Sequence, residues 1–364
     1  MDRGVGGVAG PGVWSRQERG RAADAVGAVV LGGCATWSLI SAAGRDARPE
    51  GVLLAVFAVA AGYACGRISG TLLPVAAASA ISVGALGLAI VSPVGVPGVY
   101  TSAPVQPGHL GATAGLLVLA AGAACSAAAA AGPRAARRGL RLLALAVVVT
   151  AVTLESVTGA VAAAGVLLCA LATARMQRRA LALVGLALAA ALVTAVSWGV
   201  AKNALPDGLT GSLKGGLTHH RVALWHDAVE LAEDDPIRGA GPGRFGVLSP
   251  TALDSVGSDG KPHSAPLQQA AEQGVPGVVL LATAFGWLLY GLWRSPRPTP
   301  VVLSAAAALT ALAVVASASN ALSFAPVTAG AGLLAGLATA RVAGSHPPEG
   351  NRSSPAALGL ASRS

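Results

Sequence analysis

The densest polar stretch of the chain is KPHSAPLQQAAEQGVPG, residues 261–277, and it runs directly into an apolar segment, 275–293, long enough to cross a bilayer. Its residue types could move a proton and hold a polar ligand. His263 stands just ahead of a short helix that Ser264 or Ala265 can begin, with Pro266 tolerated in the first turn because an N–H there has no intrahelical partner. The partial positive charge of a helix N terminus disfavours an imidazolium, so His263 is expected to stay neutral and able to accept a proton. Glu272 could orient His263 or contact a ligand, and Gly274, Pro276 and Gly277 allow a bend into the apolar segment.

Upstream, GAGPGRF at 239–245 has the glycines of a nucleotide-binding turn but no buried parallel strand ahead of it. It fits better as a tight, close-approach turn that opens backbone amides to a ligand and aims Arg244. Before it, 219–233 has Arg221, Trp225, Ala228 and Ala232 on one helical face with Leu224 and Leu231 beside it. The pattern predicts an amphipathic helix on the membrane surface, Trp225 serving as its interfacial anchor, that ends at Asp235-Pro236. His219, His220 and His226 have no glutamate at metalloprotease spacing and read as a polar face, with no metal expected. Asp254 and Asp259 fall in a Gly/Ser-rich stretch expected to be a flexible loop.

The elements that must position these residues are membrane helices. Of the 364 residues 54% are hydrophobic and 11% charged, with a mean hydropathy of +0.65, outside the range of soluble domains. Apolar runs at about 25–43, 51–66, 71–91, 110–131, 142–158, 159–174, 180–201, 275–293, 300–318 and 324–340 give about ten transmembrane helices in an all-α, polytopic protein. The runs are continuous, which excludes the alternation of a membrane β-barrel. Arg16, Arg19 and Arg21 before the first run resemble a secretory signal, but nine further spans favour an uncleaved helix.

The net charge of +9 could suggest nucleic acid, yet its distribution reports topology instead. With the N terminus inside, cytoplasmic segments hold 17 of the 25 Lys and Arg residues, among them Arg134, Arg137, Arg138, Arg141, Arg175, Arg178, Arg179, Arg294 and Arg297. Reading 140–174 as one helix would invert everything after it, so two helices with a tight external turn near Glu155 are expected. Residues 1–24 and 342–364 read as disordered cytoplasmic tails, 25–201 as helices 1–7, and 274–341 as helices 8–10. Between helices 7 and 8 lies one large extracytoplasmic loop, 202–273, with six basic and nine acidic residues, a local net of −3, and four of the six histidines. Cys34, Cys65, Cys125 and Cys169 all fall within spans and are expected to serve as small packing residues.

Arg221-x3-Trp225-x2-Ala228, Pro236-x2-Gly239-x-Gly241-x-Gly243-x-Phe245 and His263-x3-Leu267-Gln268-x3-Glu272-x-Gly274-x2-Gly277 together resemble the large loop of the O-antigen ligase and O-antigen polymerase family. The resemblance covers 221–277 and the helix layout. It implies a glycosyltransferase without cofactor or metal at the outer face of the cytoplasmic membrane. The donor would be a glycan on a polyprenyl diphosphate and the acceptor a glycan, lipid or protein hydroxyl. By motif position Arg221 is the diphosphate clamp and His263 the base or acceptor-orienting residue, while Glu272 could contact sugar. Many members carry a Ser-Arg pair in an earlier external turn, whereas LESVTGA at 154–160 has Ser156 and no arginine. Arg244, Arg238 or Lys261 is then left to supply the second diphosphate contact. The alternative from another class is a transporter or permease for an envelope lipid or glycan, expected to concentrate ionisable residues at mid-membrane; a non-catalytic scaffold would tolerate loss of Arg221 and His263.

Overall fold

The computed structural model describes residues 11–91, 109–173, 178–202, 204, 218–255 and 259–341. Thirteen α-helices and no strand occur among them. Ten are the expected apolar helices: α1 (Pro11–Ala42), α2 (Glu50–Leu72), α3 (Pro74–Val91), α4 (His109–Ala130), α5 (Arg134–Thr153), α6 (Val157–Thr173), α7 (Arg179–Ala201), α11 (Ala265–Arg294), α12 (Thr299–Ser317) and α13 (Ala325–Thr339). The loop adds α8 (His219–Asp234), α9 (Phe245–Leu248) and α10 (Pro250–Leu253). Seven helices are long and apolar enough to span a bilayer by themselves, and α6 and α13 are shorter apolar helices. The protein is a multi-pass membrane protein.

Prolines start several helices. Pro74 opens α3 immediately after α2 and Pro133 precedes α5; Pro300 and Pro326 occupy the first turns of α12 and α13. The stretch 140–174 is divided as expected: α5 stops at Thr153 and α6 starts at Val157. Glu155 turns the chain at φ 54°, and Ser156 Oγ accepts from Gly159 N at 3.3 Å to close the first turn of α6. Ser156 is therefore a helix cap. Helix α1 begins at Pro11, inside the segment expected to be a disordered tail; residues 1–10 and the tail 342–364 lie outside the described residues.

The bundle is built on small residues. Helix α4, mostly Ala, Gly and Leu, is buried almost throughout and packs against α3, α5, α6, α12 and α13. Gly62 and Gly66 of α2 meet the backbone of α13 so closely that a Cβ would overlap the carbonyl oxygens of Ala329 and Leu333, and Gly332 and Gly336 of α13 approach Val59 and Tyr63 of α2 in the same way. Lipid gives no hydrophobic drive between helices, so this close approach gains its stability from dispersion contacts. Cys125 is buried in the packing, but Cys65 and Cys169 are exposed on the outer helix faces, which corrects their reading as packing residues.

At one end of the bundle arginines close helix C termini. Arg179 donates to the carbonyls of Leu292 and Ser295 at the end of α11, and Arg297 to those of Gly70 in α2 and Ala340 after α13. Cations suit the negative end of a helix dipole. At the other end the loop folds onto the α1–α2 turn and the α12–α13 connection, which brings the polar residues together.

Candidate active site

The loop has its own core. Leu224, Trp225, Ala228 and Val229 of α8 pack with Val200 and Ala201 at the end of α7, Phe245, Ala252, and Leu267 and Ala271 of α11. Trp225 is only 2% exposed, so it is a core residue and not the interfacial anchor expected from the sequence. Phe245 of α9, Ala252 of α10 and Leu267 and Ala271 at the start of α11 cover that face of α8. The helix end is as expected: α8 stops at Asp234, before Asp235-Pro236.

The bend in α11 positions the rest. Gly274 adopts φ 67°, ψ −165° within the helix, and Pro276 lacks the N–H that would bond Glu272 O. The freed carbonyls find other partners. Ala271 O accepts from Ala240 N at 2.7 Å, Glu272 O from Gly241 N at 2.9 Å, and Gln273 O from Trp37 Nε1 at 3.0 Å, while Val275 N donates to Pro236 O at 2.8 Å. A Cβ on Gly274 would lie 2.5 Å from the carbonyl oxygens of Pro236 and Ile237. The glycine turn thus packs along a broken helix.

Gly239, Gly241 and Gly243 all have positive φ. They do make close approaches, but to protein: Gly239 to the backbone of Glu272 and Gln273, Gly241 to Ala47, Gly243 to Arg48. Their amides are not open to a ligand, which corrects that expectation. The N–H groups of Gly243 and Phe245 instead serve the side chain of Glu272, which is 3% exposed. Burial raises the Glu272 carboxyl to about 7 against the pull of those amides, Gln268 and the charge of Lys261.

The arginines divide. Arg238 Nη2 donates to Ile40 O at 2.8 Å and Ala43 O at 2.7 Å, which ties the loop to the C-terminal end of α1. Arg45 binds Asp235 at 2.8 Å and the Gly239 carbonyl. Arg244 Nη1 donates to Ala240 O at 3.2 Å. Arg221 is half-buried in the first turn of α8, and burial lowers its pKa. The neighbouring acids are engaged elsewhere, Glu233 with Lys202 at 2.7 Å and Asp235 with Arg45. Among the described residues no carboxylate forms an ion pair with Arg221.

His263 and Asp259 were expected in different settings, and the structure pairs them. His263 Nε2 lies 3.2 Å from Asp259 Oδ1, with Asp259 side chain 14% exposed and His263 16%. Asp259 is therefore a fixed, mostly buried residue and not part of a flexible loop. Its second oxygen, Oδ2, accepts from Asn320 Nδ2 at 2.7 Å, and Lys261 N donates at 3.2 Å to Oδ1, the oxygen that faces His263. Burial pushes the Asp259 carboxyl up, but the His263 hydrogen bond and charge, with Lys261 behind them, outweigh burial and leave its pKa lowered. The helix N terminus is thus not the only field on the His263 ring, as the sequence had suggested.

A cavity of about 860 Å³ opens beside this cluster. One end is polar, lined by Arg48, Lys261, Gln268, Gln269, Glu272 and Gln273. The other runs between helices and is apolar, with Val52 and Val59 of α2, Phe285 and Leu289 of α11 and Leu309 and Leu312 of α12. Gln273 is 2% exposed and its Nε2 has no partner among the described residues, which marks a donor waiting for an acceptor. Of the residues singled out in the sequence, Lys261 and Glu272 line this cavity, whereas Arg221, Arg238, Arg244 and His263 do not. Asp259, Asn320 and Arg48 were missed. Asp259 had a local signal, an acid four residues before His263 across Gly-Lys-Pro; Asn320 and Arg48 come from distant segments and had none. Among the described residues no three His, Cys, Asp or Glu side chains converge as a metal site.

These features define a polytopic membrane protein with a polar site at the mouth of a largely apolar cavity. Residues 142–282, from α5 into the spanning part of α11, match the O-antigen ligase family model, and over this stretch the chain is O-antigen ligase-like. The match takes in Arg221, Glu272 and the Asp259–His263 pair. It supports a membrane glycosyltransferase-like enzyme of cell-surface polysaccharide ligation or polymerisation. No curated protein matches the chain.

Proposed function

We propose that the protein transfers a glycan from a polyprenyl-diphosphate carrier to a hydroxyl acceptor at the outer face of the cytoplasmic membrane, with both termini cytoplasmic. The cavity is the observation that carries this reading: its apolar body suits an isoprenoid chain, and its polar end suits a charged head group next to the loop. As the glycosidic bond to phosphate breaks, negative charge collects on the diphosphate. Arg221 does not line the cavity wall, but it is half-buried with no ion-paired carboxylate among the described residues, and by its motif position it meets that charge with paired donors. Lys261 at the cavity wall is the best placed of the three candidates for the second contact, and Arg48 of the α1–α2 turn faces the same space. These cations do the work that the missing Ser-Arg pair does elsewhere, and no metal is needed. His263 accepts the proton of the attacking hydroxyl.

A permease for an envelope lipid or glycan would also use a membrane cavity, and one assay separates the two. Purified protein is given polyprenyl-diphosphate-linked glycans in chelator-containing buffer and free polyprenyl diphosphate is measured. Wild type is expected to release it, and His263→Ala or Arg221→Ala to lose about 100-fold or more of the rate while remaining folded. Release that is absent across a broad donor set, or equal in the variants, defeats the transferase reading and leaves transport to be tested.

A further inference from the structure

We infer that Asp259, anchored by Asn320, is the positioning residue for His263, so that Nδ1 is the ring nitrogen that meets the acceptor hydroxyl. This rests on the transferase reading above. Three observations carry it. Asp259 Oδ1 stands 3.2 Å from Nε2 of His263, which accounts for that nitrogen as a donor and leaves Nδ1 as the ring nitrogen free to face the acceptor hydroxyl. Asp259 is in turn fixed by Asn320, a 3%-exposed side chain from the α12–α13 connection, 61 positions along the chain. Finally, His263 is held at φ 53°, a left-handed conformation that is strained for a non-glycine residue and persists only where surrounding contacts enforce it.

The chemistry follows from that order of contacts. The hydroxyl proton passes to Nδ1, the oxygen's electron pair forms the new bond to the anomeric carbon, and the old carbon–oxygen bond breaks with its pair remaining on the diphosphate. The imidazolium that results lies against the Asp259 carboxylate, which stabilises it as it forms. The charged group beside the pair is Lys261, with Glu272 of α11 behind it. The α12–α13 connection contributes the neutral Asn320, which can hold the carboxylate without competing for the proton.

The test is a double-mutant cycle of Asp259→Ala and His263→Ala on polyprenyl diphosphate release, joined to ¹⁵N NMR of histidine-labelled protein in nanodiscs. Asp259→Ala is expected to lower kcat about 10-fold to 100-fold with KM for the lipid donor unchanged, and to cost nothing further in the His263→Ala background. Asn320→Ala should give a smaller loss of the same kind, and Asp259→Asn guards against a packing defect. In the spectra, the hydrogen-bonded Nε2–H of His263, assigned by its absence in His263→Gln, should move in Asp259→Ala and in Asn320→Ala. Additive losses in the cycle, a raised KM as the main effect, or an unmoved Nε2–H resonance each overturn the inference. Wild-type protein that releases no polyprenyl diphosphate defeats the transferase reading, and the resonance then decides the pairing by itself.

Discussion

At the scale of single residues, charged groups near the site are satisfied by chain segments far away in sequence. Arg238 and Arg45 look alike in composition to Arg221 but spend their donors on protein carbonyls and Asp235. Glu272 gives a pH signature. Its carboxyl lies at about 7 in the folded protein, raised from an ordinary 4.5, so the folded state binds a proton that the unfolded state has released between those values. Stability from this group is greatest below about pH 4.5 and falls as pH rises to about 7, by on the order of 3 kcal/mol. Thermal unfolding in detergent should show wild type losing stability across that window more steeply than Glu272→Gln, whose amide has no proton to lose. Parallel curves would mean that Glu272 ionises without cost.

Among elements, the bend in α11 determines where the site residues stand. Pro276 frees the carbonyl of Glu272, Gly274 turns the chain through a positive φ, and the glycine turn at 239–243 fills the gap with its own amides. Gly274→Ala should destabilise the protein by about 1–3 kcal/mol from backbone strain, with the collision against Pro236 and Ile237 added. Gly84→Ala in α3 is the control. A Cβ there meets nothing within 4 Å, and a helical glycine replaced by alanine gains roughly 0.5–1 kcal/mol. Comparable midpoints for the two variants would show that the kink is not a stability element.

For the whole molecule, orientation is the property to test. Arginines close helix C termini at one end of the bundle, and the loop, the α1–α2 turn and the α12–α13 connection meet at the other. With the basic end inside, a cysteine at Asp254, which is exposed, should react with a membrane-impermeant maleimide in intact cells. One at Arg138, also exposed, should react only after permeabilisation, in a background lacking the four native cysteines. The reverse pattern would invert the topology and move the site to the cytoplasm. The sequence by itself determined the apolar helices, the division of 140–174 at Glu155, the end of α8 and the bend at Gly274 and Pro276, because each depends on composition and backbone preference within a few residues. Only the tertiary structure decided that Trp225 is core, that the glycine-turn amides serve Glu272, that Arg48 and Lys261 share a cavity wall, and that Asn320 holds Asp259 against His263. Those outcomes depend on which distant segment arrives to cover a face or complete a hydrogen bond, and periodicity along one element carries no record of its partner.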